Sequence, residues 1–210
     1  MPSAVRRAAQ IEKRRRIFDA AVEVFADKGF ESARMADIAS AAGVAEGTIY
    51  LYFKSKDDLL RSLFREKMAE VLRRFHAMLA APDAPEDKLR RYVEGHLALV
   101  AEQPKLMQVL TVELRQSARF MRQAAPASFG RYIALLVGVI QRGQASGVFR
   151  PEADPPVLAR ALFGAVDETA RSWVLGAGPD ALRAALPRVA DQLSGLLLTG
   201  LLVQPRPPAP

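Results

Sequence analysis

Apolar residues recur every three or four positions along almost the whole of this sequence, which is the spacing of a buried helical face. The first clear example is the face formed by Ile17, Ala20, Ala21, Val24 and Phe25. Proline and glycine interrupt the pattern at intervals, and no long stretch alternates apolar and polar residues as a half-buried strand does. The sequence therefore predicts an all-α fold.

Glycine and N-cap residues place the ends of the predicted helices. The first helix is expected to end at Gly29 and the second at Gly43, because glycine adopts the left-handed C-cap conformation readily. Ser55, with Asp58 three residues later, resembles a capping box and opens a fourth helix that runs to about Ala80. Further helices are expected at 86–102, 104–121, 126–146, 155–175 and 179–202.

A helix-turn-helix is predicted between residues 34 and 53, where two short helices flank Gly43. Ile49 and Phe53 supply the inner face of the second helix, so its other side chains are available to DNA. Its N-terminal end is expected to enter the major groove. The residues that this helix presents away from the core are Glu46, Gly47, Thr48, Tyr50, Leu51 and Tyr52.

The segment 17–60 resembles the N-terminal domain of the TetR family of transcriptional regulators. The resemblance rests on the string GTIYLYFKSK at 47–56, together with Lys28-Gly-Phe and Asp37-Ile-Ala. It implies a homodimeric, TetR-like repressor that binds a palindromic operator in double-stranded DNA and releases it on binding a small molecule. Residues 11–56 would form the DNA-binding domain and 57–204 an effector-binding and dimerisation domain, followed by a proline-rich, disordered tail at 205–210.

The resemblance also assigns roles within the motif. Thr48, Tyr52 and Lys56 match family positions that contact DNA phosphates. Such contacts fix the register of the protein on the duplex and carry no sequence information. Gly47 allows the backbone to approach the duplex. The full set expected to bind DNA is Arg34, Ala45, Glu46, Gly47, Thr48, Tyr50, Leu51, Tyr52, Lys54 and Lys56.

Tyr50 is the main candidate for contact with base edges, and Glu46 and Leu51 are further candidates. The alternative for Glu46 is a favourable interaction with the helix dipole, and the alternative for Tyr50 is partial burial against the core, as it is for Tyr52. Arg34 stands where the family commonly has Ser or Thr, which removes a good N-cap and adds a phosphate or base contact.

Most of the chain is similar to the FadR-type fatty-acid-degradation repressors within the TetR family. This similarity rests on the strings at 46–53, 63–68, 113–117, 163–169 and 173–174. It implies a long-chain acyl-CoA inducer, no cofactor, and β-oxidation genes as targets. The alternative is a TetR-type repressor that responds to another hydrophobic ligand, such as a drug.

Three arginines fit an anionic ligand independently of the resemblance. Arg115, Arg119 and Arg122 share one face of a helix, where like charges repel unless an anion such as a CoA phosphate lies between them. The alternatives are a solvated face or pairing with acids of another helix. An acyl chain needs an apolar tunnel. The candidates, for which core packing is the alternative, are Leu106, Leu110, Leu114, Phe120, Met121, Phe129, Ile133, Leu136, Phe163 and Trp173.

The last two predicted helices carry the widest apolar faces and are expected to form the dimer interface as a four-helix bundle. Leu193, Leu196, Leu197 and Gly200 would pack across it. Asp167 and Glu168 are expected to be either buried hydrogen-bond partners near the pocket or a pair at this interface.

The charge of the chain favours a polyanionic partner. The formal net charge is +7, and the cations concentrate in a basic arm, defined as Arg6, Arg7 and Lys13–Arg16. Beside a helix-turn-helix, this arm is interpreted as binding DNA phosphates, and the alternative is a solvated helix start.

Several function classes are excluded or disfavoured. The chain has no cysteine, which excludes disulfides and points to a reducing, cytoplasmic compartment. No run is apolar enough to span a bilayer, and residues 1–10 lack the apolar core of a secretory signal. His76 and His96 lie in no metal-binding pattern, and neither a glycine-rich phosphate loop nor a nucleophile motif is present. An enzyme is therefore not expected.

Overall fold

The computed structural model describes residues 2–110, 126–176 and 179–202. Within these ranges the regular secondary structure is helical, apart from one isolated β-bridge between Phe149 and Leu202. The expected all-α fold is confirmed. The helices of the described ranges are α1 (Pro2–Lys28), α2 (Met35–Ala42), α3 (Glu46–Tyr50), α4 (Lys56–Leu79), α5 (Pro85–Glu102), α6 (Pro104–Gln108), α7 (Pro126–Ala145), α8 (Pro155–Leu175) and α9 (Pro179–Leu201).

The helix ends follow the capping residues of the sequence. Gly29 and Gly43 follow α1 and α2 with φ angles of 74° and 63°, the left-handed conformation that glycine tolerates. At the start of α4, Ser55 Oγ accepts a hydrogen bond of 3.1 Å from the backbone N–H of Asp58. The Asp58 carboxylate in turn accepts one of 2.9 Å from the backbone N–H of Lys54. Local chemistry therefore accounts for these boundaries.

The sixth helix differs from its expected extent of 104–121. The α-helix ends at Gln108, and the wider turn of a π-helix follows at Val109 and Leu110. The remainder of the expected helix lies outside the described residues, as does the expected tail. No helix in the described part of the chain combines the length and apolar character needed to cross a membrane.

The chain folds into two compact units, and the division falls within α4. Among the described residues, the first unit combines 2–68 with 105–110 and Pro126, and the second combines 69–104 with 127–176 and 179–202. The first unit therefore consists of two segments that are far apart in the sequence.

In the first unit, α1, α2 and α3 pack around a core of fully buried apolar residues. The rings of Phe18 and Phe53 lie 5.3 Å apart at its centre. Residues 105–108 of α6 join this unit on the surface of α1. Gln108 Nε2 donates a hydrogen bond of 3.0 Å to the carbonyl of Ala26, and the Lys105 ammonium pairs with Glu23 and, at 3.0 Å, with Asp27.

In the second unit, α5, α8 and α9 pack against one another. Asp154 caps α8 by accepting a hydrogen bond of 3.0 Å from the backbone N–H of Val157. After α7 the chain turns back, and the fully buried ring of Phe149 lies directly over Gly143. This turn anchors the end of α7, because the backbone N–H of Phe149 also donates to the carbonyl of Gly143 at 3.0 Å.

Candidate nucleic-acid interface

The short helix α3 is held in place from beneath. Ile49 is fully buried and Phe53, just beyond the helix, is 2% exposed. At the turn before α3, the guanidinium of Arg16 donates to the carbonyls of Ala42 and Gly43. Glycine is favoured at position 43 by its left-handed φ of 63°, and a Cβ there would lie 2.9 Å from this guanidinium, so a larger residue would be strained and would displace Arg16. The position of α3 is therefore fixed by the core and by one arginine of α1.

The outer side of α3 presents its side chains to solvent. Leu51 is 83% exposed and Tyr50 is 50% exposed, so two adjacent large side chains are uncovered on this face. Ala45, Glu46 and Gly47 are exposed too, and a Cβ at Gly47 would meet nothing within 4 Å. This face therefore has room for a partner's surface to come close.

Two further residues of the motif, Thr48 and Tyr52, are half-buried. The ring of Tyr52 lies 6.4 Å from that of Phe53. Partial burial of Tyr52, one of the alternatives raised by the sequence, is therefore observed, and its phosphate contact stays a prediction.

Replacing Tyr50 with alanine is expected to weaken binding to a specific operator by about 10- to 100-fold, the usual worth of a good base contact. Binding to random DNA should change little, because that binding depends on phosphate contacts. Gel-shift titrations with both DNAs test this. An equal loss on both would make Tyr50 a phosphate-contacting or packing residue.

The start of α2 is stabilised by Asp37, for which the sequence reasoning predicted no capping role. Its carboxylate accepts a hydrogen bond of 3.0 Å from the backbone N–H of Arg34 and pairs with the Lys28 ammonium at 2.9 Å. The pKa of Asp37 is lowered, mainly by the hydrogen bond from Lys28 and to a smaller extent by that from the Arg34 backbone. The side chain of Arg34 cannot accept the hydrogen bond of an N-cap, and the Asp37 carboxylate bonds to the Arg34 backbone instead. The Arg34 side chain is exposed.

The basic arm divides into two halves. Arg14 pairs with Glu66 at 3.3 Å and lies 4.9 Å from the centre of the Phe18 ring, and Arg15 pairs with Glu12 at 2.7 Å. With Arg16 at the α3 turn, these three arginines serve the first unit itself. Of the basic arm, the exposed side chains for which the structure gives no ion pair among the described residues are those of Arg6, Arg7 and Lys13. These three are the arm's candidates for contact with phosphates.

Lys56 also makes contacts within the protein. Its ammonium donates to the carbonyls of Phe30, Glu31 and Ala33 at 2.6, 2.9 and 3.0 Å. It also lies 4.5 Å from the centre of the Phe30 ring. All three of its donors are therefore used to hold the turn between α1 and α2, whereas the neighbouring Lys54 is exposed. The phosphate contact expected of Lys56 stays a prediction.

The expected ligand-binding residues fall into three groups: those outside the described residues, those in the first unit and those in the second unit. Leu114, Arg115, Arg119 and Arg122 lie outside the described residues, as do Phe120 and Met121. Leu106, which is buried, and Leu110, which is half-buried, belong to the first unit. The candidates that belong to the second unit are Phe129, Ile133, Leu136, Phe163 and Trp173.

The candidates of the second unit lie mostly inside it. The rings of Phe129 and Phe163 contact edge to face with centroids 5.0 Å apart. Ile133 is buried and Trp173 is half-buried. An apolar interior is therefore present where the sequence predicted a tunnel, and whether it receives a ligand stays a prediction.

A buried polar cluster in the second unit was not predicted as a group. His96 Nδ1 lies 3.0 Å from the hydroxyl of Tyr132, and His96 Nε2 lies 3.8 Å from a carboxylate oxygen of Asp167. Both His96 and Asp167 are at most 3% exposed. Glu168 is instead exposed and pairs with Arg171 at 2.6 Å. The sequence held only a weak signal for this cluster, since His96 and Asp167 stand far apart in it.

The expected dimer surface on α9 retains uncovered apolar groups. Leu196 is 70% exposed, Leu193 and Leu197 are half-buried, and Gly200 is exposed. On α8, Val157 is 63% exposed. These groups are consistent with a face that a second subunit covers.

Two family models match the chain. Residues 17–63 match the model described as bacterial regulatory proteins of the tetR family, and residues 64–200 match the model described as YsiA-like protein, C-terminal region. The first match contains the whole helix-turn-helix, and the second covers more than half of the chain.

Named relatives extend the similarity over both units. The fatty acid metabolism regulator protein of Bacillus subtilis is 38% identical over 159 residues, which are 76% of this chain and 82% of that protein. The structure of the fatty acid degradation regulator FadR from Bacillus halodurans has a TM-score of 0.82 and 36% identity, covering 90% of this chain and 95% of its own. FadR from Bacillus subtilis in complex with stearoyl-CoA has a TM-score of 0.80 and 35% identity, covering 88% and 97%.

Proposed function

The chain belongs to the TetR family of bacterial transcriptional regulators, and we propose that it represses fatty-acid-degradation genes and leaves its operator when it binds a long-chain acyl-CoA. As a member of this family it is a DNA-binding regulator and not an enzyme. The observation that carries the acyl-CoA proposal is the similarity, over 88% of this chain, to a regulator solved with stearoyl-CoA.

The DNA-binding part of the proposal is supported by the exposed face of α3. Tyr50 and Leu51 present apolar surface beside the open space over Gly47. A helix inserted in the major groove needs such a face for base edges and exposed cations for the flanking phosphates. Lys54, Arg6 and Arg7 supply exposed cations.

A homodimer is part of the same proposal. The apolar groups exposed on α8 and α9 would be covered by the same helices of a second subunit, forming a four-helix bundle. Two α3 helices then read half-sites about 35 Å apart in successive major grooves, so the operator is expected to be a palindrome.

The protein leaves its operator if acyl-CoA prefers a conformation in which the separation of the two α3 helices does not match the spacing of the half-sites. A ligand shifts such an equilibrium only by its difference in affinity between the two states. The helix α4 contributes residues to both compact units, which makes it the natural carrier of the change.

Stearoyl-CoA is expected to release the protein from an operator fragment selected from random DNA, whereas CoA alone should not. The Arg115→Ala/Arg119→Ala double variant should need about tenfold more stearoyl-CoA or more, because it loses charge-assisted contacts with phosphate. Its affinity for the operator should be unchanged. Gel-shift titration measures both quantities.

The control for the double variant is Arg160→Ala, which removes an exposed arginine of α8 bonded only to the carbonyl of Pro156 among the described residues. It should respond to stearoyl-CoA like the wild-type protein. If the double variant does the same, the arginine cluster is not the phosphate site. If the wild-type protein ignores stearoyl-CoA but releases DNA with a hydrophobic drug, the proposed inducer class is wrong.

A further inference from the structure

Leu51, at the end of α3, points directly away from the core of the first unit. It stands two positions after the fully buried Ile49, and two positions turn an α-helix by about 200°, so the two side chains have nearly opposite directions. The backbone at Leu51 is still helical, with φ −69° and ψ −23°. Its N–H donates to the carbonyl of Thr48 at 3.2 Å. The outward direction of Leu51 is therefore set by the packing and the backbone of α3.

The surface around Leu51 is open. Gly47 stands four positions before it, one turn away on the same side of the helix, and a Cβ there would meet nothing within 4 Å. Glu46 and Tyr50, also four positions apart, are exposed on the neighbouring side. Leu51 itself is 83% exposed, more than any other large apolar side chain in the described ranges. A partner can therefore approach the leucine over the turn that Gly47 leaves open.

The charged groups near this face fit a polyanionic partner. Lys54 is exposed three positions after Leu51, and Arg34 is exposed at the start of α2. Cations beside a recognition helix bind backbone phosphates, which fixes the register of the helix on the duplex. The outward side chains of a helix held in this way lie against base edges in the major groove. The partner that fits the Leu51 face is therefore the edge of a base pair.

We propose that Leu51 packs against the C5 methyl group of a thymine in each half-site of the operator. The inference rests on the proposed function and adds a base that the operator contains. Leucine has no hydrogen-bond donor or acceptor, and the apolar group that a base displays in the major groove is the thymine methyl. Contact between the two removes apolar surface of both from water. Another base at this position would place polar edge groups against the leucine, where they lose water without gaining a partner.

The test replaces thymine with deoxyuridine, which removes the methyl group and keeps the base pair. The operator is first selected from random DNA with the wild-type protein, and each thymine is then substituted in turn, in one half-site or in both. Gel-shift titration gives the dissociation constants. At one thymine of each half-site, the wild-type protein should lose about fourfold in affinity, the worth of one buried methyl group, and about 15-fold when both half-sites are substituted.

Leu51→Ala assigns this loss to the leucine side chain. At the thymine that Leu51 contacts, the variant should bind the unmodified and the substituted operator with nearly equal affinity, because the methyl group no longer has a partner. Leu51→Met keeps an apolar side chain of similar volume. It should therefore retain most of the discrimination against deoxyuridine.

Leu51→Ala should fold normally, because the side chain that it removes is exposed and alanine favours a helix. An unchanged melting temperature checks this. The matched control is Ile11→Ala, which removes a side chain of α1 that is also apolar and exposed but lies outside the helix-turn-helix. It should show the full wild-type loss on deoxyuridine substitution.

Three results would overturn the inference, and they differ in what they leave standing. If no deoxyuridine substitution weakens the wild-type protein, no thymine methyl is read, and the proposed function stands. If Leu51→Ala keeps the full loss at every thymine where the wild-type protein shows one, another side chain contacts the methyl group. If selection with the wild-type protein enriches no sequence, the proposed function fails as well.

Discussion

Replacing Lys56 with methionine is expected to lower the free energy of unfolding of the first unit by about 2 kcal/mol, without altering the salt dependence of DNA binding. Hydrogen bonds to charged groups contribute about 1.5–3 kcal/mol each. The Lys56 ammonium donates to three carbonyls of the α1–α2 turn, but it is only part-buried, so the loss is well below the sum of three such bonds. Methionine keeps the apolar part of the side chain and removes only the donors.

Lys54→Met is the matched control, two residues away on the exposed side of the same segment. It should leave stability unchanged. If Lys54 neutralises a phosphate, the slope of log K against log salt should fall in magnitude by about 0.9 for each subunit. Denaturant unfolding and gel shifts at several salt concentrations provide both readouts. The reverse result, in which Lys56→Met reduces the slope and leaves stability intact, would make Lys56 the phosphate ligand that the family resemblance implies.

Replacing Gly143 with alanine should destabilise the second unit by about 2–3 kcal/mol, the upper part of the range for overpacking a core. A Cβ at Gly143 would lie 2.1 Å from Phe149 Cδ2 and 2.5 Å from Cε2. The ring cannot move freely, because Phe149 is fully buried and its backbone is bonded to the Gly143 carbonyl. Thermal and denaturant unfolding of the purified protein measure the loss.

The control for this variant lies on the same helix. A Cβ at Gly130 of α7 would meet nothing within 4 Å, so Gly130→Ala should raise stability by about 0.5–1 kcal/mol through the better helix propensity of alanine. The two substitutions are chemically identical and should have opposite signs. A similar effect of both would mean that the packing of Phe149 on α7 is looser than the structure shows.

Features fixed by neighbouring residues were predictable from the sequence. The ends of α1 and α2 depend on Gly29 and Gly43, and the start of α4 depends on Ser55. The inward direction of Ile49 and Phe53 follows from helical spacing, and the structure buries both. Each of these depends on contacts within a few residues, which a periodic pattern or a capping rule expresses directly.

Features that depend on distant partners were not predictable. The carbonyls bound by Lys56 stand 23 to 26 positions before it, and Tyr132 stands 36 positions after His96. No spacing rule relates such residues, because only the packing of separate helices brings them together. For the same reason, the sequence could not show that half of the basic arm serves the first unit itself.

The contact between α6 and α1 has a consequence for biosynthesis. Gln108 bonds to the carbonyl of Ala26 across 82 positions, and Lys105 pairs with Glu23 across the same span. A nascent chain grows from its N-terminus and folds as segments emerge, so the helix-turn-helix can form long before residues 105–108 leave the ribosome. The polypeptide thus completes its DNA-reading half only after α5 has been synthesised. A product that ended before Pro104 would contain the whole helix-turn-helix but would lack the contacts that α6 makes with α1.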